Sequence, residues 1–405
     1  MNIKILHTAD WHIGKQLLIV DFSEDMNLFF EWLIHCIKEN NINVLLMSGD
    51  LFDQANPSQA AMKQYYSFLK QLLPLKCKVI ITGGNHDSPH VINAPKELLE
   101  ILKIKVVGGV PDDISELFVE IEIENQKVVV AAIPFLRDKD IRNTLPGESY
   151  EDKIELIRNG IANYFSNVNE YYVTNHKGIP FIVMAHLFAQ GATISESERE
   201  IQIGNQAGVE ATIFGDTPNY VALGHIHKPQ IVGQSHIRYS GSPIQLSFSE
   251  KDDHKEVVIL ELQGDKFDIS SIEIPKFRKL IRLEGTLDEV KQRLESYSTE
   301  SPLTDLIELL IEEEDENIAH IRMLEELLTA EAQKGFQILK GRINFKNKLV
   351  GTSVLLKSGE DIGDYNPIQL FEKRLEQDDS VDNTEELIFA FKEILEKIGD
   401  STSIE

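Results

Sequence analysis

Seven side chains of the metal-ligand type occur in five short motifs, and each motif stands where a run of apolar residues ends. They are Asp10 and His12 in TADWH, Asp50 in SGDLFD, Asn85 in GGNHD, His186 in MAHLF, and His225 with His227 in GHIH. Carboxylate oxygens mixed with imidazole nitrogens suit manganese, iron or zinc better than calcium. A carboxylate that bridges two such ions holds them about 3.5–4 Å apart, and Asp50, after the run VLLMS, is the natural candidate. Two divalent ions so placed acidify a water and clamp the non-bridging oxygens of an in-line phosphoryl displacement, so the pattern points to phosphate-ester hydrolysis.

In an extended segment residues two apart face the same side, so Asp10 and His12 can share one ion, and His225 and His227 lie within reach of one or two. His86, beside Asn85, is the candidate to touch the scissile phosphate or protonate the leaving oxygen, with Asp87 placed to orient its ring. His7, His35, His90, His176, His236, His254 and His320 stand outside the motifs and are expected at the surface or in local hydrogen bonds. A lone GDxxD or GHxH would carry little weight, because a histidine at a strand end is more often structural. Five motifs in order, all after apolar runs, carry much more.

The elements that must position these groups read as α/β. Apolar runs at Ile3 to Leu6, Val44 to Met47, Val79 to Ile81, Val128 to Ile133, Phe181 to Met184 and Tyr220 to Leu223 are expected strands, several nearly continuous as in sheets covered on both faces. Glu24 to Lys38 and Ser58 to Leu73 carry helical spacing. The functional groups follow the strands, where open α/β sheets usually bind ligands.

At 405 residues the chain exceeds a single core, and a large domain over 1–275 is expected to be followed by smaller ones. From Lys276 the pattern is that of an α+β domain over 276–350: RKLIRLEG as a strand, a helix opened by the Thr286/Glu289 capping box, TDLIELLIEEE, a helix over Ile318 to Leu328, and FQILKGRINF. The run from Glu312 to Glu316 predicts an acidic surface there. Over 365–400, Asn366 and Pro367 open a short helix, and a second helix carries Leu387, Ile388, Phe391, Ile394, Leu395 and Ile398 on one stripe. Such a stripe more often folds back on its own domain; the sharper reading is a hairpin that docks on another protein.

Cys36 and Cys77 make neither a disulfide framework nor a CxxC pair, which favours a reducing, cytoplasmic home. No secretory n-region and no run of 18 apolar residues is present, so a soluble, unprocessed chain with no membrane contact is expected. The net charge of −26 argues against a chain that grips nucleic acid by its own field, although bound cations or a partner's basic surface can offset it.

The set TADWH, GDLFD, GNHD, AHLF and GHIH resembles the calcineurin-like metallophosphoesterase superfamily. More narrowly, LHTADWHIGK, GDLFDQANPS, GNHDSP and YSGSPIQLSFSE resemble the SbcD family of nuclease subunits of bacterial SbcCD complexes, over about the first 275 residues. The resemblance implies a layered sandwich with helices outside, an α+β cap that positions DNA, and a helical tail. It implies Asp10, His12, Asp50 and His227 around one ion, Asp50, Asn85, His186 and His225 around the other, His86 as catalytic histidine, and Mn2+ as the usual metal. It further implies an SbcC-type ATPase partner on the tail helices, a homodimer within a heterotetramer, 3′ to 5′ double-strand exonuclease and single-strand endonuclease activity, and hairpin opening.

One departure concerns Asp53, which stands where archaeal and eukaryotic relatives carry a second histidine; it is either a second acid or phosphate contact, or a group that orients a ligand. Phosphoprotein phosphatases of the superfamily carry Arg where this chain has Gln54, which counts against that branch. A small-molecule phosphodiesterase on the same scaffold is the alternative. A scaffold without catalysis ranks last, because every ligand position holds a competent residue.

Overall fold

A computed structural model describes residues 2–142, 149–193, 208–329, 335–347 and 367–375, together with 384, 387, 388 and 390–392. Two six-stranded sheets form the large part of the chain. The first runs, edge to edge, Lys266–Glu273, Glu256–Gln263, Lys4–Thr8, Val44–Ser48, Lys78–Thr82, Ile104–Val107. The second runs Gln230–Val232, Gln234–Tyr239, Tyr220–Gly224, Phe181–His186, Gln126–Ala132, Phe118–Ile123.

Why the central strands read as unbroken apolar runs is now plain. Along Val44–Ser48, Val44 and Leu46 face a core shared with the second sheet, while Leu45 and Met47 face the helices Ser23–Glu39 and Gln59–Leu72 on the other side. Ile80 and its neighbours Val79 and Ile81 divide in the same way. Both faces are buried, so alternation of direction leaves no polar position. The second sheet is covered outside by the helix Tyr150–Asn175, through Ile157, Ile161, Phe165 and Val168.

Six expected strands and two expected helices are present, with ends displaced by one or two residues. Other elements go beyond those expected: Tyr150–Asn175, and strands such as Phe118–Ile123 and Lys266–Glu273, whose apolar residues alternate with charged or polar ones on half-exposed sheet edges.

The chain divides into two compact units. One comprises Met1–Arg282, Tyr297–Glu308 and Ala330–Lys340; the other comprises Leu283–Ser296, Leu309–Thr329 and Gly341–Glu405. Beyond the two large sheets, strands Leu280–Gly285, Asp305–Asp315 and Phe336–Asn347 form a three-stranded sheet in that order, with helices Leu287–Glu295 and Ile318–Thr329 between them in sequence. Thr286 and Glu289 make the capping box that the sequence marks. Glu312, Glu314, Asp315 and Glu316 are exposed. In the tail, Pro367–Leu375 is helical and Phe371 stacks on Phe391 at 4.2 Å. Ile394, Leu395 and Ile398 of the expected stripe, and most of the 365–400 module, lie outside the described residues. Among the described residues no helix is long and apolar enough to cross a membrane.

Candidate metal centre

Lys4–Thr8, Val44–Ser48 and Lys78–Thr82 are parallel neighbours, as are Phe181–His186 and Tyr220–Gly224, so the loops that follow them leave from like ends. The first three loops deliver Asp10 and His12, Asp50, and Asn85 with His86. His186 is the last residue of its strand, and His225 and His227 follow theirs. The two sheets meet at His186, whose Nδ1 donates to the Ser48 carbonyl at 2.9 Å. Gly49 makes this approach possible: its φ is +85°, and a Cβ there would overlap the His186 ring.

The TADWH segment is not extended, contrary to the expectation from its sequence. Asp10 and His12 have φ of 53° and 46°, and Asp50 and His225 have 51° and 104°. Non-glycine residues seldom adopt this region, and such strain gathers at functional sites. The surroundings enforce it. Asp10 N, His12 N and Ile13 N donate to the carbonyls of Gly49, Asp50 and Leu51 at 3.0–3.1 Å, zipping the two loops together. Asp10 and His12 therefore converge by paired turns rather than by strand alternation.

The two central carboxylates share a design. Asp10 Oδ1 accepts the His225 amide at 2.8 Å, and Asp50 Oδ1 accepts the His86 amide at 2.9 Å. Each keeps Oδ2 turned inward. Asp50 Oδ2 stands 3.3 Å from His186 Nε2 and 3.6 Å from His12 Nε2, between rings from the two sides of the centre. On one side Asn85 Oδ1 lies 2.9 Å from His186 Nε2 and 3.0 Å from His225 Nδ1. On the other, the His12 and His227 rings meet edge to face at 5.0 Å.

Burial sets the electrostatics. It pushes the Asp10 carboxyl up to about 7 against the pull of His186 and His227, and pushes His12 down to about 4 and His225 down to about 3. At Asp50 burial is outweighed by His186, His12 and His86, which hold the carboxyl well below its usual range. At His186 burial is likewise outweighed by Asp50 and Asp10, and the imidazole rises to about 9.

These residues fit divalent cations. Asp10 Oδ2 and both ring nitrogens of His12 are buried without a hydrogen bond, which is expensive unless another partner takes them. Ligand atoms of Asp10, His12 and His227, of His12, Asp50 and His86, and of Asp10, Asp50 and His186 each lie within 4.8 Å of one another. The clusters share Asp10, His12 and Asp50, as adjacent cations would require, and the oxygen and nitrogen set is one for transition metals.

His86 is half-buried at the rim. Its Nδ1 donates to the Asp53 carbonyl at 2.8 Å, which leaves Nε2 as its reactive atom. Asp87 does not orient this ring, which corrects the role expected of it. Its carboxylate accepts the amides of Leu51, Phe52 and Gly84 at 3.0, 3.0 and 2.8 Å, so it ties the SGDLFD loop to the GGNHD loop. Burial and then the Asp50 charge push Asp87 up to about 6, against these three amides. Asp53 Oδ1 lies 3.3 Å from His12 Nδ1 and 3.1 Å from Lys15 Nζ, which makes it a neighbour of a ligand. Of the histidines outside the motifs, His7 is fully buried with Nδ1 3.0 Å from the Tyr220 hydroxyl.

Sequence reasoning misses Glu250 and Lys255. Both are buried beside His227, and Glu250 ends the YSGSPIQLSFSE segment, to which the residue pattern alone assigns no task.

Residues 3–229 match the calcineurin-like phosphoesterase family. Among curated proteins the chain is similar to SbcD, the nuclease subunit of SbcCD, from Escherichia coli K12, 29% identical over 321 residues, 77% of this chain and 79% of that one. The same protein of Rhodobacter capsulatus is 32% identical over 275 residues, 65% of this chain and 67% of the relative. That of Bacillus subtilis is 29% identical over 266 residues, 64% and 66% respectively.

Proposed function

The chain belongs to the calcineurin-like phosphoesterase family, in its SbcD branch, and from that premise we propose that it is a metal-dependent DNA nuclease acting with an SbcC-type ATPase. Its reactions are 3′ to 5′ exonuclease on duplex ends, endonuclease on single strands, and hairpin opening, in DNA end processing, repair, replication and recombination. The observation that carries the reading is the pair Asp10 and Asp50, each held through Oδ1 by an amide and offering Oδ2 to a buried ring of histidines.

Asp10, His12, Asp50 and His227 would hold one divalent ion, and Asp50, Asn85, His186 and His225 the other, with Mn2+ the favoured metal. Such a pair supplies Lewis-acid stabilisation of phosphoryl charge and a nucleophile at neutral pH. The remaining work falls to the chain. Asp50 keeps its charge at the centre because His186, His12 and His86 face it. The Asp53 carbonyl points His86 so that Nε2 meets the scissile phosphate or hands a proton to the leaving oxygen. Asp87 holds the two loops that carry Asp50 and Asn85 in register.

The 276–350 region acts as the DNA-positioning cap. The tail helices over 365–400 bind the ATPase, and two nuclease subunits assemble with their partners as a heterotetramer in the cytoplasm. The net charge of −26 favours a second reading, a small-molecule phosphodiesterase on the same scaffold. The test is incubation of the chain with Mn2+ and an end-labelled duplex, with and without the ATPase, beside Asp50→Ala and a small phosphodiester. Metal-dependent shortening of the duplex that Asp50→Ala lacks supports the nuclease; turnover of the small diester with DNA untouched, even with the partner, assigns the second reading.

A further inference from the structure

His227 leans on a buried ion pair. Glu250, 0% exposed, places Oε1 3.0 Å from His227 Nδ1, and its Oε2 accepts from Lys255 Nζ at 2.8 Å and from Leu246 N at 3.2 Å. Lys255, 3% exposed, spends its other donors on the His227 carbonyl at 2.9 Å and Ser242 Oγ at 3.0 Å. Burying two charges is costly, and an apolar pair of similar volume would serve packing at least as well. What an apolar pair cannot do is accept the Nδ1 proton of His227 and so leave Nε2 as the ligating atom.

A looser version, an ion contact without hydrogen-bond geometry, stands at the other histidine of this half. His12 Nδ1 stands 3.3 Å from Asp53 Oδ1, which stands 3.1 Å from Lys15 Nζ. His12 and His227, which cluster with Asp10 in one ligand group, thus each face on Nδ1 a carboxylate that itself faces a lysine, by a hydrogen bond at His227 and by an ion contact at His12. The other half has no lysine-backed carboxylate in its described contacts: His186 Nδ1 donates to the neutral Ser48 carbonyl at 2.9 Å with Asp10 Oδ1 farther off at 3.9 Å, and His225 Nδ1 faces Asn85 Oδ1. Carboxylate-backed imidazole is the more basic ligand and is fixed in one tautomer.

We propose that Glu250–Lys255 and Asp53–Lys15 are positioning pairs that make the Asp10–His12–His227 half of the centre the tighter of two unequal metal sites. The inference rests on the two-ion reading given above and adds to it an order of loading: the carboxylate-backed half fills first and empties last.

The experiment titrates the metal-free full chain with Mn2+ and counts free ion by electron paramagnetic resonance. Wild type is expected to show a tight and a weak class, one ion each. Glu250→Gln, which keeps the volume, and Asp53→Asn, at a less buried position, are each expected to weaken the tight class by about 10- to 100-fold while the weak class is unchanged. Glu250→Asp is expected to recover part of the loss. A purely structural role would lower the unfolding midpoint of the metal-free chain and leave the affinities of the folded protein as in wild type. Unchanged tight-class affinity in both Glu250→Gln and Asp53→Asn, or equal weakening of both classes, would overturn the proposal. Wild type that binds no Mn2+ would remove the two-ion reading with it, so the two failures are distinguishable.

Discussion

The amide of His86 donates to Asp50 Oδ1 at 2.9 Å, so the proposed catalytic histidine and the carboxylate at the centre of the candidate site are joined through backbone, not through the imidazole. The consequence is separable roles. His86→Ala keeps the amide and loses only the ring. Mn2+ binding should stay within a fewfold of wild type while cleavage falls by roughly 10²- to 10⁴-fold, the usual contribution of a positioned acid or base. Retained cleavage in this variant would remove His86 from the mechanism.

Asp87 predicts the opposite pattern. Removing its carboxylate in Asp87→Ala strands three buried amides, at about 1–3 kcal/mol for each left unsatisfied. Stability, metal binding and cleavage should fall together. If metal binding and the denaturation midpoint held while turnover alone dropped, Asp87 would act on the His86 ring after all.

Arg278 grips Asp25 with two bonds, Nε to Oδ1 at 2.6 Å and Nη2 to Oδ2 at 2.7 Å, in a buried setting. Burial pushes the Asp25 carboxyl up despite this partner, so the pair is a poor source of stability and a serious liability when broken. Arg278→Ala should destabilise by about 3–5 kcal/mol, and the double change Asp25→Leu with Arg278→Met should restore most of it. Equal denaturant midpoints for the single variant and wild type would contradict this.

Metal loading should depend on pH with a fixed sign. Before an ion binds, burial holds the Asp10 carboxyl up to about 7, and at His186 burial is outweighed by the Asp50 and Asp10 charges, which hold the imidazole up to about 9, so each would give up a proton on acting as a ligand. Binding therefore displaces about two protons below the first value, about one between the two and none above the second, so affinity rises with pH up to the second value and most steeply below the first. Calorimetry in buffers of different ionisation enthalpy on either side of neutrality measures the protons released. No release at either pH would contradict the protonation states assigned to these two groups.

Deletion of the chain after Asp364 should leave hydrolysis of a small diester within about twofold of the full chain, since every group of the centre lies before residue 255 or at it. Co-purification with the ATPase should be lost. Retention of the partner by the truncated chain would place the docking surface elsewhere.

The sequence exposes the motif-bearing strands because both faces of each are buried, so Val44 to Met47 or Tyr220 to Leu223 cannot be mistaken for alternating edge strands. It exposes the ligand-type residues because each follows such a run. The layered sandwich is legible through the family resemblance but not through the residue pattern, since the edge strand Phe118–Ile123 of the second sheet interleaves charge with apolar residues. The sequence hides the left-handed turns at Asp10 and His12, which come from hydrogen bonds to residues some 40 positions away. Adjacency in sequence points Asp87 at His86, whereas its partners Leu51 and Phe52 are 36 and 35 residues distant. Glu250 and Lys255 escape sequence reasoning for the same reason: only the folded chain brings them to His227.

The strand Lys4–Thr8 pairs with Val44–Ser48 on one side and with Glu256–Gln263 on the other, Ile5 facing both Val44 and Leu260. Because the N-terminal strand is interior to its sheet, one of its edges stays bare on the ribosome until residue 263 and the exit tunnel's length beyond it have been made. Pairings this distant in sequence form late, after the loop entropy has been met. Asp10, Asp50 and Asn85 are synthesised early, yet His186, His225 and His227 and the strand that closes the sheet come later. A nascent chain that carries only Asp10, His12, Asp50 and Asn85 holds half of the candidate centre, and the site can close only after the second sheet and the strand Glu256–Gln263 have been made.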